Sequence, residues 1–189
     1  MKTEGKLVTD ATQVTKKNLI VMSVGAGLFV LLLAASAYKW YAWGYRNPIE
    51  IFINVMFLFV LVERAQARYI VQMDKAVLRF TKKNLLGSTV HEVPYKEIFG
   101  IYRYKAQLVR AVKFRRTYRL NSALDNRSVW VLAYRALGKK GKMENRRIYF
   151  KTSEAMLDAL AEKLPNKVRA NEEQVAVELL KAEPDWDKK

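Results

Sequence analysis

From Leu19 to Tyr38 the chain reads LIVMSVGAGLFVLLLAASAY, 20 residues without a charge. As a helix rising 1.5 Å per residue, such a run spans about 30 Å, the thickness of a bilayer's hydrocarbon core. A second run, Pro48 to Val62, is apolar apart from Glu50 and Asn54. It covers about 22 Å as a helix and reaches a full span by continuing through Glu63 and Arg64 towards Ala67, whose charged neighbours would snorkel to the headgroups. Between the runs lies YKWYAWGYRNP, residues 38–48, with rings at Tyr38, Trp40, Tyr41, Trp43 and Tyr45. Rings apolar in body and polar at one edge suit a lipid–water boundary or a surface that stacks nucleic-acid bases. The second needs a solvated groove, which a site between two lipid-soluble segments does not offer. The expectation is a transmembrane helical hairpin over residues 18–67, with spans at about 19–38 and 48–67 and an aromatic belt at its tip.

Orientation follows from Lys and Arg alone, because acidic residues contribute little to it. The N-terminal tail, residues 1–17, carries Lys2, Lys6, Lys16 and Lys17, and the connection carries Lys39 and Arg46. The residues after the second span carry Arg64, Arg68, Lys75, Arg79, Lys82 and Lys83. Both termini are expected in the cytoplasm of a multi-pass protein of the cell (inner or plasma) membrane. A rival reading takes Ala35-Ser36-Ala37 as a signal-peptidase site. The long basic leader and the length of the apolar run weigh against it.

Polar residues within a span are functional suspects by default. Asn47-Pro48-Ile49-Glu50 has a structural reading as an N-cap, a first-turn proline and the acid of a capping box. Asn54 lies one turn deeper on the same face, placed to bond to the first helix; an ion or proton path through Glu50 and Asn54 is the functional alternative. Ser23 and Gly27, four apart, would permit close helix approach within the hairpin or between copies.

Beyond Ala67 the composition changes. The chain holds 34 Lys+Arg against 18 Asp+Glu, a net charge of +16, and residues 96–151 alone carry 16 basic and three acidic side chains. There is no cysteine, which excludes disulfides and thiolate metal sites and fits a reducing compartment. Short strands are expected at 68–73, 76–81, 88–93, 98–105, 113–120, 128–135 and 146–151, punctuated by Met73-Asp74-Lys75, Asn84 to Gly87, Pro94, and Gly138 to Asn145. Ser153 then caps a helix with Met156, Leu157, Leu160, Ala161 and Leu164 on one face, stopped by Pro165. Residues 68–166 suffice for one small core. The charged tail, 167–189, contains a possible short helix from Asn171 to Ala182.

This order, with the stretch YIVQMDKAVLRFTKKNLLGSTVHEVPYKEIFGI at 69–101, resembles the bacterial pleckstrin-homology-like (PH-like) membrane proteins that carry an N-terminal two-helix hairpin. The resemblance covers about two thirds of the chain. It implies an α+β, mainly-β domain of about seven antiparallel strands with a C-terminal helix, no catalytic residues and no cofactor. Eukaryotic relatives of that fold often bind phosphoinositides through a basic loop joining their first two strands. Here that connection is Met73-Asp74-Lys75, so headgroup specificity does not transfer.

Enzyme signals are weak. His91 is the sole histidine and sits in an expected strand, placed to pair with Glu92 or solvent. Gly138-Lys-Lys-Gly141-Lys142 lacks the glycine and hydroxyl positions of a phosphate-binding loop, since Ala136 and Met143 stand there. Gly25 and Gly27 lie inside an apolar span and make no dinucleotide fingerprint. The stretch VKFRRTYRL, 112–120, alternates as a strand: Val112, Phe114, Tyr118 and Leu120 on one side, with Arg116 as the exception, and Lys113, Arg115, Thr117 and Arg119 on the other. That basic face is either a solvated surface or a platform for anionic lipid headgroups or an acidic protein. The expected function is a membrane scaffold or adaptor presenting a basic PH-like domain. The alternative is an accessory subunit of a membrane complex or homo-oligomer. Transport, catalysis and nucleic-acid binding rank lower.

Overall fold

The structure, a computed structural model, describes residues 8–105, 112–138 and 141–182. Lys2 and Lys6 of the basic leader, Lys139 and Lys140 of the glycine-flanked turn, and the charged end after 182 lie outside the described residues.

The apolar runs form α1 (Lys16–Trp43) and α2 (Pro48–Gln66). Helix α1 is 28 residues long and apolar enough to cross a membrane. It stops at Gly44, whose φ of 65° is a left-handed conformation that suits glycine, and whose N–H donates to the Trp40 carbonyl over 3.1 Å. Helix α2 starts as its sequence suggests: Pro48 opens the first turn, and the Asn47 side chain accepts from the Glu50 N–H at 3.2 Å. The helices lie antiparallel. The Ser36 hydroxyl donates to Glu50 Oε1 at 2.7 Å, and Phe29 stacks on Phe57 with centroids 5.6 Å apart. Continued, this register sets Gln66 about level with Ile20, so α1 overhangs α2 by about a turn at each end.

Helix α1 therefore runs about a turn past the expected end of its span. Tyr38, Trp40, Tyr41 and Trp43 are helical, and only Tyr45 lies in the short connection. Ser23 and Gly27 are exposed and not turned towards α2, so of the two packing roles expected of them only contact between copies stays open. The contact stripe passes through Met22, Phe29, Leu33 and Ser36, and at about 100° per residue Ser23 falls off it. Asn54 is buried in the helix contact, as is Ser36, which the sequence reading weighed only as part of a cleavage site.

Two sheets follow. The first has the order β1 (Thr9–Ala11), β2 (Arg68–Met73), β3 (Val77–Asn84), β4 (Gly87–Pro94). The second comprises β5 (Ile98–Arg103), β6 (Arg116–Leu120), β7 (Val129–Leu137) and β8 (Met143–Lys151), in the order β5-β7-β8-β6. Their inner faces share a core of Leu78, Phe80, Val93, Ile98, Ile101, Leu132, Ile148 and Phe150, with Phe80 edge-on to Phe150 at 5.3 Å. Helix α3 (Glu154–Lys163) adds Met156, Leu157 and Leu160 to it; Ser153 caps α3 by accepting from the Met156 N–H at 3.3 Å. Helix α4 (Glu172–Lys181), capped by Asn171, covers the outer face of the second sheet with Val175 and Leu179 against Tyr102, Val131 and Ala133. Gly100 permits this approach, because a Cβ there would overlap Val175.

The expectation of about seven antiparallel strands is thus corrected, among the described residues, to eight strands with one parallel pair. Strand β6 runs parallel to β8, from Arg116 opposite Arg146 to Leu120 opposite Phe150. The connection 121–128 carries the chain across the end of β8 before β7 begins on its far side. Lys151 holds that crossing, donating to the carbonyls of Ser122 and Asp125. Strand β6 is also shorter than expected. Because it starts at Arg116, Val112 and Phe114 join the outer cluster under α4, whereas Tyr118 and Leu120 face the main core. The expected boundary at 166 does not hold either. Ile101 donates to the Lys167 carbonyl at 2.7 Å and accepts from Ala170 at 3.0 Å, so the chain up to α4 belongs to the domain.

The largest departure concerns the N-terminal tail. Strand β1 precedes α1 yet pairs with β2, which follows α2. Asp10 accepts from Arg127 Nη1 at 2.8 Å, from the Thr152 hydroxyl at 2.7 Å and from the Ser153 N–H at 2.7 Å. Arg127 also pairs with Asp125 at 2.6 Å, and Asp125 accepts from the Gln13 N–H at 3.1 Å. Both ends of the helical pair are therefore fixed to one domain. Burial works against the Asp125 charge, but the hydrogen bonds from Arg127 and Gln13 outweigh it and hold its pKa below the ordinary value. With the folded value depressed, this contribution is complete above about pH 4 and is lost as pH falls further. Arg127→Leu leaves the buried Asp125 and the partly buried Asp10 without their cation and should lower the stability of the detergent-solubilised chain by about 3–5 kcal/mol. Lys96→Ala, at an exposed site, should stay within about 0.5 kcal/mol in the same thermal-unfolding measurement.

Candidate functional site

Strand direction decides which residues surround the base of the helical pair. In the first turn of α1, the Asn18 amide donates to the Leu124 carbonyl at 2.9 Å and to Asn126 Oδ1 at 2.7 Å. Near the end of α2, Glu63 accepts from Asn84 Nδ2 at 2.7 Å and pairs with Lys82 at 3.7 Å. The 121–128 connection and the β3–β4 turn thus lie at the helix-proximal end. Strands β3, β5, β6 and β8 all run towards it. Lys82, Lys83, Arg103, Lys105 and Arg119 are carried there, beside Lys16, Lys17, Arg64 and Arg68.

Charge at this end is mostly basic. Glu63, Asp10 and Asp125 are engaged by Lys82 and Arg127, while Glu172 and Glu173 line a recess with Arg103 and Lys105, and the Lys105 charge acts on Glu172. Lys16, Lys17, Arg64, Arg68, Lys83, Arg103, Lys105 and Arg119 are exposed and have no ion-pair partner among the described residues. Arg103 instead donates to the Ser128 hydroxyl at 3.1 Å. The opposite end holds more compensated cations: Arg79 lies between Asp74 and Glu92, and Arg146 pairs with Glu144.

The four residues expected to form a basic face are separated by this geometry. Arg119 lies at the helix-proximal end of β6. It helps line an open recess of about 280 Å³ with Tyr104, Asn121, Val129 and Tyr149, in which the two tyrosine rings meet edge-on at 5.3 Å. Arg116 is on the opposite face of the sheet, where its hydrogen bond to Tyr118 raises its pKa. It is also about 10 Å further along the strand, at about 3.3 Å per residue. Arg115 is further still and approaches Glu144 at 3.9 Å. Lys113 precedes the strand. Arg147, on the recess side of β8, is held by Thr117 at 3.0 Å and by the rings of Phe114 at 4.8 Å and Tyr149 at 5.2 Å.

Arg103, Lys105 and Asn121 escaped the sequence reading because only strand polarity brings them to the same end of the second sheet as Arg119, Arg103 and Lys105 at its β5 edge and Asn121 with Arg119 at its β6 edge. Their one sequence signal was position, at the ends of the expected strands 98–105 and 113–120. His91 meets a different partner from the one expected. Its ring packs on Tyr118 at 4.5 Å and burial lowers its pKa, while Glu92, on the other face of β4, pairs with Arg79 at 2.8 Å. Gly138 and Lys142 stand where β7 and β8 are joined, and the Gly138 N–H donates to the Lys142 carbonyl at 2.8 Å. Among the described residues, no group of three or more His, Asp or Glu is arranged to hold a metal ion. No protein-family model matches this chain, and no curated protein matches it.

Proposed function

We propose that α1 and α2 cross a bilayer as a hairpin, and that the domain docks its basic helix-proximal end on anionic headgroups of the cytoplasmic leaflet as a membrane scaffold. The observation that carries this reading is the pair of uncovered helices rooted in a basic rim. Val24, Leu31 and Phe52 are each 68% exposed, although they lie on the most apolar segments of the chain. Apolar surface this continuous has lipid as its natural solvent. At the distal end, Trp40, Tyr41, Trp43 and Tyr45 form the aromatic belt of the opposite interface. Glu50 sits near that end, satisfied by Ser36 and Asn47, which favours its capping role over an ion path.

Because β1 and β2 pair, α1 leaves the domain and α2 returns to it, so a crossing by one requires a crossing by the other. Cleavage after Ala37 would detach β1 and Asp10 from the sheet, which argues for retention of the first helix. The two packed sheets and α3 support kinship with the PH-like membrane proteins. The parallel β6–β8 pair and the strand contributed from before the helices depart from that pattern. A second reading, an accessory subunit of a membrane assembly, is favoured by the open outer side of α1, where a Cβ at Gly27 would meet nothing within 4 Å.

A Lys or Arg at an anionic surface contributes about 1 kcal/mol, decaying over a Debye length of about 8–10 Å. Arg103, Lys105 and Arg119 together amount to about a hundredfold in docking equilibrium, whereas Lys113 and Arg115 stand too far along the strand to add much. The test uses the full chain in proteoliposomes, with a fluorophore on Asn121→Cys or, as the distal control, on Lys75→Cys. Quenching by headgroup-nitroxide lipid at Asn121 should rise with phosphatidylserine content and fall at high salt. Arg103, Lys105 and Arg119 changed together to Gln should remove most of it, and Lys113 with Arg115 changed to Gln should remove little. Quenching at Asn121 no greater than at Lys75, or indifferent to salt, would contradict docking. A stoichiometric partner in a mild detergent extract of such a protein would then select the subunit reading.

A further inference from the structure

We infer that the β3–β4 turn inserts into the bilayer through Leu85 and Leu86, giving the domain a third membrane contact besides α1 and α2. Asn84 and Gly87 face each other as the last pair of the β3–β4 ladder, so Leu85 and Leu86 occupy the tip. Two-residue tips ordinarily carry Asn, Asp or Gly, whose polarity and backbone freedom suit a solvated turn. Here two leucines stand 50% and 76% exposed, and the core of the same strand is already filled by Leu78 and Phe80.

Position identifies the occupant. Asn84 Nδ2 donates to Glu63 Oε1 at 2.7 Å, and Glu63 lies one turn before the end of α2, where its carbonyl accepts from the Ala67 N–H. Phe59 and Val60, one turn before Glu63 on the same face of α2, are exposed as well. The leucines follow the anchored Asn84 and so stand next to the apolar surface of α2. Directly behind them, Lys82 and Lys83 precede the turn at the level of Arg64 and Arg68. Apolar residues leading and cations following is the order that a bilayer boundary presents, with acyl chains first and anionic headgroups behind. An acidic protein would satisfy the lysines and leave the leucines in water. This inference rests on the membrane-crossing reading of α1 and α2, and it adds that the domain has a fixed tilt: with the tip anchored on the α2 side, the Arg119 recess on the second sheet is held in one attitude to the surface.

The test is nitroxide accessibility on the full chain in phospholipid vesicles. Single cysteines are placed at Leu86→Cys, at Leu137→Cys on the opposite end of the domain, and at Phe52→Cys on α2. The ratio of collisions with oxygen to collisions with a water-soluble nickel chelate should be high at Phe52, low at Leu137, and shifted at Leu86 towards the Phe52 value. Changing Leu85 to Ser should move the Leu86 probe back towards the water value while leaving the Phe52 probe unchanged. If Phe52 reports lipid and Leu86 matches Leu137, the third contact is refuted while the membrane reading stands. If Leu86 is shielded from both reagents, the tip is covered by protein and the inference is again refuted. If Phe52 itself reports water, the membrane reading fails and the inference fails with it.

Discussion

The cluster of Asp10, Arg127 and Asp125 fixes everything else in this molecule. It ties three residues of chain before α1 to the connection that follows β6 and to the start of α3. An isolated three-residue strand at a chain terminus would fray. Here the charge pairs are largely withdrawn from solvent, with Asp125 2% exposed, and the β1–β2 ladder adds Thr12, whose hydroxyl both donates to and accepts from the Tyr69 backbone at 3.0 and 2.9 Å. Buried ion pairs of this kind contribute little net stability compared with apolar replacements, yet leaving one partner unpaired is expensive. The cluster is better understood as a device of register. It specifies where the sheet begins and so where α1 must start.

From that constraint the distribution of charge acquires meaning. A domain with a surplus of basic residues could spread them evenly for solubility. Instead, the end at which the helices emerge holds exposed lysines and arginines that outnumber the carboxylates near them, while the distal end pairs several of its cations within the fold. Strand polarity produces this arrangement: among the described residues β1, β3, β5, β6 and β8 end at the helix-proximal end, and β3, β5 and β6 bring the exposed cations Lys83, Arg103 and Arg119 with them. The same polarity delivers Leu85 and Leu86 beside α2. The helices, the cations and the leucine tip thus meet on one side of the domain.

Much of this architecture was legible in local sequence. The uncharged run of 20 residues announces α1, the Asn-Pro-Ile-Glu segment announces the start of α2, and Ser153 and Asn171 announce α3 and α4, because caps and periodicity act over one or two turns. Strand β2 matches its expected range for the same reason. What sequence did not reveal depends on contacts between distant segments. Thr9–Ala11 shows no strand pattern, and it becomes one only through β2 and Asp10. The parallel β6–β8 pair depends on a connection crossing a strand end, which alternation cannot show. The basic face of VKFRRTYRL dissolved because alternation holds only within a strand, and this strand begins at Arg116. For the candidate site, the sequence reading named Arg119 and not Arg103, Lys105 or Asn121, which share its end of the sheet only once strand directions are known.

The central claim is that sequence before α1 and sequence after α2 form one sheet, and the absence of native cysteine allows it to be tested directly. Thr9 stands opposite Gln72, between the Val8–Met73 and Asp10–Val71 positions; Val8 accepts from the Met73 N–H at 2.9 Å. That makes Thr9–Gln72 a non-hydrogen-bonded pair, with Cα atoms about 4.5 Å apart, within reach of a disulfide. Mild oxidation of membranes containing the full chain with Thr9→Cys and Gln72→Cys should yield an intramolecular crosslink in most molecules. The pair Thr9→Cys and Tyr45→Cys, at opposite ends of the helices, should yield none. Failure of the Thr9–Gln72 pair to crosslink, with both thiols reactive and the protein folded, would contradict the account at its root.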